Sequence, residues 1–311
     1  MSGKKFLCIF IISILLLFVL EIVSFVTESM IFVSMRNDYN KKIENEKTKV
    51  DEHNYWQPGY RILKDFPIND FRPSSYKNTK KNPILWFGCS FADGAGMDDN
   101  KTPCFKISDL TGRTCINRAQ GATGTQYIYN QIKKNDFKKI APDVDFIFYI
   151  FIQDHLRRLY FFQIPLTYYS EVRYQYKNHE LKEVPRWTKY LYSSYLIQKL
   201  AMIRIKYCWD KEFKNYYLFN IVMKETAKEF KKIYPNAKFI MIEFNEKRQT
   251  EFLPEEEIKK LNSYGIDVVR LRDYIGDIDI HDDKYWFEDD CHPREVLWDM
   301  LLPQIVKKYN M

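Results

Sequence analysis

Between residues 84 and 308 the chain alternates short apolar runs, rich in β-branched and aromatic residues, with longer stretches that repeat their apolar positions every three to four residues. The short runs fall at Ile84–Gly88, Thr114–Asn117, Asp145–Ile152, Lys238–Phe244 and Asp267–Leu271. Helical periodicity covers Pro103–Leu110, Thr125–Lys134, Lys214–Ile233, Pro254–Ser263 and Pro293–Lys308. Punctuation agrees with it, since Thr102 stands at an N-cap, Pro103 at the first helical position and Gly112 just past the end. Strand and helix in alternation predict an α/β architecture, a parallel sheet covered by helices on both faces. In such a sheet chemistry collects at the carboxyl ends of the strands. With 46% hydrophobic residues and only 10 Gly and 12 Pro, the composition excludes a disordered or collagen-like chain.

The N-terminus is different. From Phe6 to Leu20 every residue is apolar except Ser13, and Phe6 to Val26 is long enough to cross a bilayer as a helix. A cleaved signal peptide competes with an uncleaved anchor, and the lack of a small-residue cleavage site beyond Thr27-Glu28-Ser29 favours the anchor. Cys8 sits too early in the apolar run for a lipoprotein. Lys4 and Lys5 precede the segment, whereas Arg36, Lys41, Lys42, Lys47 and Lys49 lie beyond it, mixed with Glu44 and Glu46. Charge alone therefore leans against export of the downstream chain. The expected organisation is an anchor over 1–33, a charged stalk and linker over 34–80, and one α/β domain over 81–311.

That domain carries an insertion at about 155–213, and nine of the 23 tyrosines lie between Tyr160 and Tyr207. Within it, TYYSEVRYQYKNHELKEV reads as a hairpin about a KNHE turn. Its aromatics serve either as packing beside the sheet or as a wall against sugar rings. The net charge of +7 is spread along the chain, and no nucleic-acid motif is present. The cysteines form no CxxC or metal-type spacing, and five outside the apolar segment, an odd number, argue against a fully paired disulfide framework. No metal or other cofactor is expected.

Two segments carry chemistry. FGCSFADGAG, residues 87–96, places Ser90 on a glycine-flanked turn from strand to helix, the geometry that lifts a nucleophilic hydroxyl above a sheet edge. A serine there also serves simply to cap the next helix. YWFEDDCHPREVLW, residues 285–298, sets Asp289 three residues before His292, a spacing at which a carboxylate can hold an imidazole in one tautomer. Arg157 and Arg158 come after the third strand, as anion ligands or as partners in salt bridges.

Together these segments resemble the SGNH, or GDSL-type, hydrolase family, whose first block is Gly-Asp-Ser and whose last is Asp-x-x-His. Here the first block is Gly88-Cys89-Ser90, with Cys89 where Asp is usual. NRAQGATGTQ, residues 117–126, looks like the second block, with Gly121 the nearest match to its oxyanion glycine and Ala122 or Gly124 as alternatives. FIQDH, residues 151–155, looks like the third, with Gln153 where the family has Asn. The resemblance implies a flavodoxin-like three-layer sandwich and a serine esterase. Ser90 would be the nucleophile, His292 the base and Asp289 its orienter, with Ser90, Gly121 and Gln153 forming the oxyanion hole. An anchor ahead of such a domain is similar to exported members that remove or add acyl groups, chiefly acetyl, on cell-surface glycans. On that ground the domain is expected on the extracytoplasmic side of a single-pass membrane protein. An O-acyltransferase supplied by a membrane acyl-donor protein, and a catalytically inactive glycan-binding module, are the alternatives.

Overall fold

The computed structural model describes residues 12, 13, 15–23, 75, 77, 81–121, 123–160, 174–184, 216–244, 247, 252–276, 278–287 and 292–311. The chain divides into two compact units, one of residues 1–57, 164–166 and 185–212, the other of residues 58–163, 167–184 and 213–311. In the first, residues 12, 13 and 15–23 are helical and present Leu15, Leu16 and Phe18 to the surface. Among the described residues no helix is long and apolar enough to cross a membrane. Most of the expected anchor, nearly all of the stalk and most of the 155–213 insertion lie outside the described residues.

The second unit is built on the expected parallel sheet. Its strands are β1 (Ile84–Phe87), β2 (Cys115–Asn117), β3 (Phe146–Phe151), β6 (Lys238–Glu243) and β7 (Ile266–Arg270), while β4 (Tyr174–Lys177) and β5 (Glu180–Glu183) form a separate hairpin. The sheet order is β2-β1-β3-β6-β7, and each pair in it is parallel. That is the flavodoxin-like order, with its topological switch at β1 and β3, the place where sheets of this kind bind ligands beyond the strands' carboxyl ends.

The helices are α1 (Ser90–Asp93), α2 (Pro103–Thr111), α3 (Thr125–Lys134), α4 (Phe137–Ile140), α5 (Asp154–Tyr160), α6 (Tyr217–Ile233), α7 (Glu255–Ser263) and α8 (Glu295–Tyr309). Because side chains alternate across a strand, the central strands bury both faces. Trp86, Phe148, Ile150 and Ile242 pack under Ile107 of α2 and Trp298 and Leu301 of α8. Phe87, Ile147, Tyr149 and Met241 pack under Ile128 of α3, Phe219 and Phe230 of α6 and Leu261 of α7. Helix, sheet and helix make three layers.

Two local details differ from the pattern reading, and a third, the hairpin about its KNHE turn, agrees with it. The last helix begins at Glu295, because Pro293 is engaged in an antiparallel bridge with Trp286. Cys104 of α2 and Cys115 of β2 are joined as a disulfide with 5.6 Å between their Cα atoms, which fastens the helix to the edge strand. The hairpin turns at Asn178 and His179, whose φ values of 53° and 62° are those of a type I′ turn. Its Tyr174 belongs to the core, edge-on to Tyr129 at 4.9 Å and donating its hydroxyl to Asn130 Oδ1.

Candidate active site

The site is assembled where three strands end. After β1 the backbone passes Gly88 at φ 152°, and a Cβ there would lie 2.5 Å from Ala92 Cβ and 3.1 Å from Ile150. Only glycine permits a turn this tight against β3. Trp86 Nε1 donates to the Ala92 carbonyl at 2.9 Å, pinning α1 back onto its own strand. Buried Cys89 is the N-cap of α1, and Ser90 is its first residue, partly exposed.

His292 reaches this serine from the other end of the domain. Its Nε2 lies 2.6 Å from Ser90 Oγ, a hydrogen bond in which the serine hydroxyl donates whenever the imidazole proton is on Nδ1, a nitrogen that is buried. The histidine loop is held by a short antiparallel pairing. Phe287 N–H donates to the His292 carbonyl at 3.1 Å, Arg294 N–H to the Tyr285 carbonyl at 2.8 Å, and Arg294 Nε to the Trp286 carbonyl at 2.8 Å. Phe91, next to the serine, packs on the imidazole at 5.4 Å between ring centroids and rests in turn on Phe244 and Trp286. The aromatic floor restricts where the imidazole can swing.

On one side of Ser90 runs the loop after β2. Its register with β1 continues past the strand, Arg118 N–H donating to the Trp86 carbonyl at 2.7 Å and Gln120 N–H to the Gly88 carbonyl at 2.9 Å. Gly121 therefore faces the serine, and a Cβ on it would meet Ser90 Cβ at 4.0 Å. Gly124 instead lies against α5, where a Cβ would sit 2.8 Å from Arg158 Cβ; Ala122 is outside the described residues.

On the other side Gln153 comes after β3, is 8% exposed, and has its Oε1 buried with no hydrogen-bond partner among the described residues. Asp289 lies outside the described residues. Arg158 donates to Asp154 Oδ2 at 2.6 Å and to the Thr123 carbonyl at 2.7 Å, so its guanidinium is occupied within the fold.

Two buried ionisable groups near these strand ends escaped the sequence reading. His155 is fully buried, with Nδ1 2.7 Å from Tyr149 Oη, which itself donates to Thr125 Oγ1 at 3.0 Å. Burial, and secondarily Arg158, hold its pKa well below the usual histidine value, so it is neutral. Glu243, at the end of β6, is 1% exposed and accepts the Leu253 N–H at 2.5 Å. Its pKa is pushed up to about 7, chiefly by burial, against the opposing pull of that hydrogen bond and of Arg272 and Arg270. A Glu or His at a strand end carries no sequence mark of burial, and only the packing of neighbouring elements supplies it. Among the described residues no group of His, Cys, Asp and Glu is arranged to hold a metal ion.

No family model and no curated protein matches this sequence. Solved structures similar to the chain include a member of the lipolytic protein G-D-S-L family from Veillonella parvula, at 12% identity and a TM-score of 0.40, covering 73% of this chain and 98% of that one. An extracellular lipase from Streptomyces rimosus is 9% identical over 73% of this chain and 99% of its own, with a TM-score of 0.42. A family two carbohydrate esterase from Clostridium thermocellum, in complex with cellohexaose, is 10% identical over 74% of this chain and 65% of its own, with a TM-score of 0.41.

Proposed function

We propose that the protein is a serine esterase of the SGNH type that removes O-acyl groups, chiefly acetyl, from a cell-surface carbohydrate. The observation that carries this reading is the 2.6 Å contact between His292 Nε2 and Ser90 Oγ at the carboxyl ends of a parallel sheet. Nucleophile and base within hydrogen-bond reach are what acyl transfer requires. Ser90 Oγ attacks the ester carbonyl as His292 takes its proton, and His292 returns that proton to the departing sugar alkoxide. Water, deprotonated by the same imidazole, then releases the acyl group from Ser90. Asp289, three residues before the base, stabilises the imidazolium and keeps the proton on Nδ1.

The negative oxygen of each tetrahedral intermediate forms beside Ser90 and Gly121. As the first residue of α1, Ser90 has an N–H with no acceptor inside its helix. Gly121 N–H and the Gln153 amide complete the donor set, and loss of one such donor costs about 3 kcal/mol of transition-state stabilisation. The carbohydrate as acyl carrier rests on the family resemblance and the aromatic segment at 160–207.

We place the catalytic domain outside the cytoplasm behind an N-terminal anchor. Two observations support that placement: the apolar run from Phe6 to Val26, and the Cys104–Cys115 disulfide, a bond that persists in oxidising compartments. The test of the activity is direct. The purified protein is expected to hydrolyse a short-chain aryl acetate and to be labelled on Ser90 by a fluorophosphonate. Ser90→Ala should lose both while keeping its circular dichroism spectrum, and turnover surviving in that variant would sink the triad.

A further inference from the structure

In the sheet order β2-β1-β3, the loop carrying Gly121 and the segment carrying Gln153 come from strands that each pair with β1 and not with each other. The sheet spaces those strands, and among the described residues the segments beyond their ends are joined to each other only through side chains and helices. One side chain spans the gap between them. Arg158 Nε donates to Asp154 Oδ2 at 2.6 Å, and Asp154 is the residue directly after Gln153. The same guanidinium donates through Nη1 to the Thr123 carbonyl at 2.7 Å, two residues beyond Gly121. Thr123 is itself close to the serine turn, its single hydroxyl proton shared between the Gln120 carbonyl at 2.8 Å and the Gly88 carbonyl at 3.3 Å. Gln126 Nε2, in the first turn of α3, donates to the Arg158 carbonyl at 3.0 Å, so α5 is fastened to the helix after the loop as well as to the loop.

This is unlike a surface ion pair. The side chains of Arg158 and Asp154 are 10% and 15% exposed, where solvent screens them little. The close approach also depends on Gly124, since any side chain there would collide with Arg158 Cβ at 2.8 Å. A planar guanidinium fixes the directions of its donors, which an ammonium on a flexible stem does not.

We propose that Arg158 is a positioning residue that sets the spacing of the oxyanion hole by bridging the Gly121 loop to the Gln153 segment over the end of β1. The inference rests on the esterase reading above. Misplacing a catalytic group by about 1 Å costs on the order of a hundredfold in rate, so a residue that fixes this gap acts on kcat.

The test is steady-state hydrolysis of an aryl acetate by the full-length protein. Arg158→Gln should lower kcat about 10- to 100-fold with KM within about twofold of wild type. The loss should shrink several-fold when measured in a Gln153→Ala background, because the two changes then damage the same donor set. Arg158→Lys, which keeps the charge without the fork, should recover only part of the rate. If Arg158→Gln does not fold, Arg158→Lys decides. An active wild type with unchanged kcat in Arg158→Gln or full recovery in Arg158→Lys overturns the proposal alone. So do losses that add independently with Gln153→Ala. A wild type without Ser90-dependent turnover overturns the esterase reading and this proposal with it.

Discussion

Ser90 and His292 are 202 positions apart, and their 2.6 Å contact exists because each sits on a backbone with little freedom. Gly88 admits the turn that lifts Ser90, and the Phe287–His292 and Arg294–Tyr285 bonds hold the histidine loop. The proposed third member of the triad, Asp289, is open to a comparison with its neighbour. Asp289→Asn is expected to lower kcat by about 10³- to 10⁴-fold, because an amide favours the wrong imidazole tautomer, whereas Asp290→Asn should leave kcat within a few-fold. Steady-state kinetics on the two variants checks this, and the reverse order would move the orienting role to Asp290. Of the proposed catalytic residues, Ser90 and His292 stand in short motifs at predicted element boundaries, and the structure brings the two into contact. The salt bridge of Arg158 was one of the two roles the sequence offered, but its bond to the Thr123 carbonyl was not legible. Its i, i+4 spacing to Asp154 hints at an ion pair, but the Thr123 carbonyl that makes it a bridge is 35 positions away.

Among elements, the strands were legible almost to the residue, since an apolar run such as ILWF has no stable place except between two layers of helix. The hairpin was legible for the same local reason, because Asn178 and His179 adopt the left-handed conformation its turn requires. The start of α8 was misread, as the pairing of Pro293 with Trp286 depends on a partner strand that periodicity does not reveal. The Cys104–Cys115 disulfide is of this kind too, joining a helix to an edge strand across a separation of 11 residues. By the chain-entropy argument a closed loop of that length contributes about 3 kcal/mol. Replacing both cysteines by serine should therefore lower the midpoint of urea unfolding with little change in slope, and a midpoint unmoved by the change would refute a stabilising role.

At the scale of the whole molecule, Glu243 couples stability to pH. Its ordinary carboxylate value of 4.5 rises to about 7 in the folded state, so the folded protein binds the proton more tightly than the unfolded chain. The contribution favours folding below pH 4.5 and is lost as the pH rises towards 7. Glu243→Gln keeps an acceptor for the Leu253 N–H and removes the ionisation. Relative to wild type, that variant should gain on the order of 3 kcal/mol at pH 8 and nothing at pH 4. Urea titrations at the two pH values measure the difference, and an equal gain at both would exclude the carboxylate as its source.

By itself the sequence determined the kinds of elements, their order and the parallel sheet they must make, because hydrophobic period and turn chemistry act over a few residues. It also marked Ser90 and His292, whose motifs are local. Only the tertiary structure decided which strand ends meet: the order β2-β1-β3 sets Gly121 and Gln153 on opposite sides of Ser90, and Arg158 spans the gap. Burial that neutralises His155 and raises Glu243 was decided there as well. The reason is physical: a side chain's partners and its access to water are properties of packing between distant segments, and no short stretch of chain contains them.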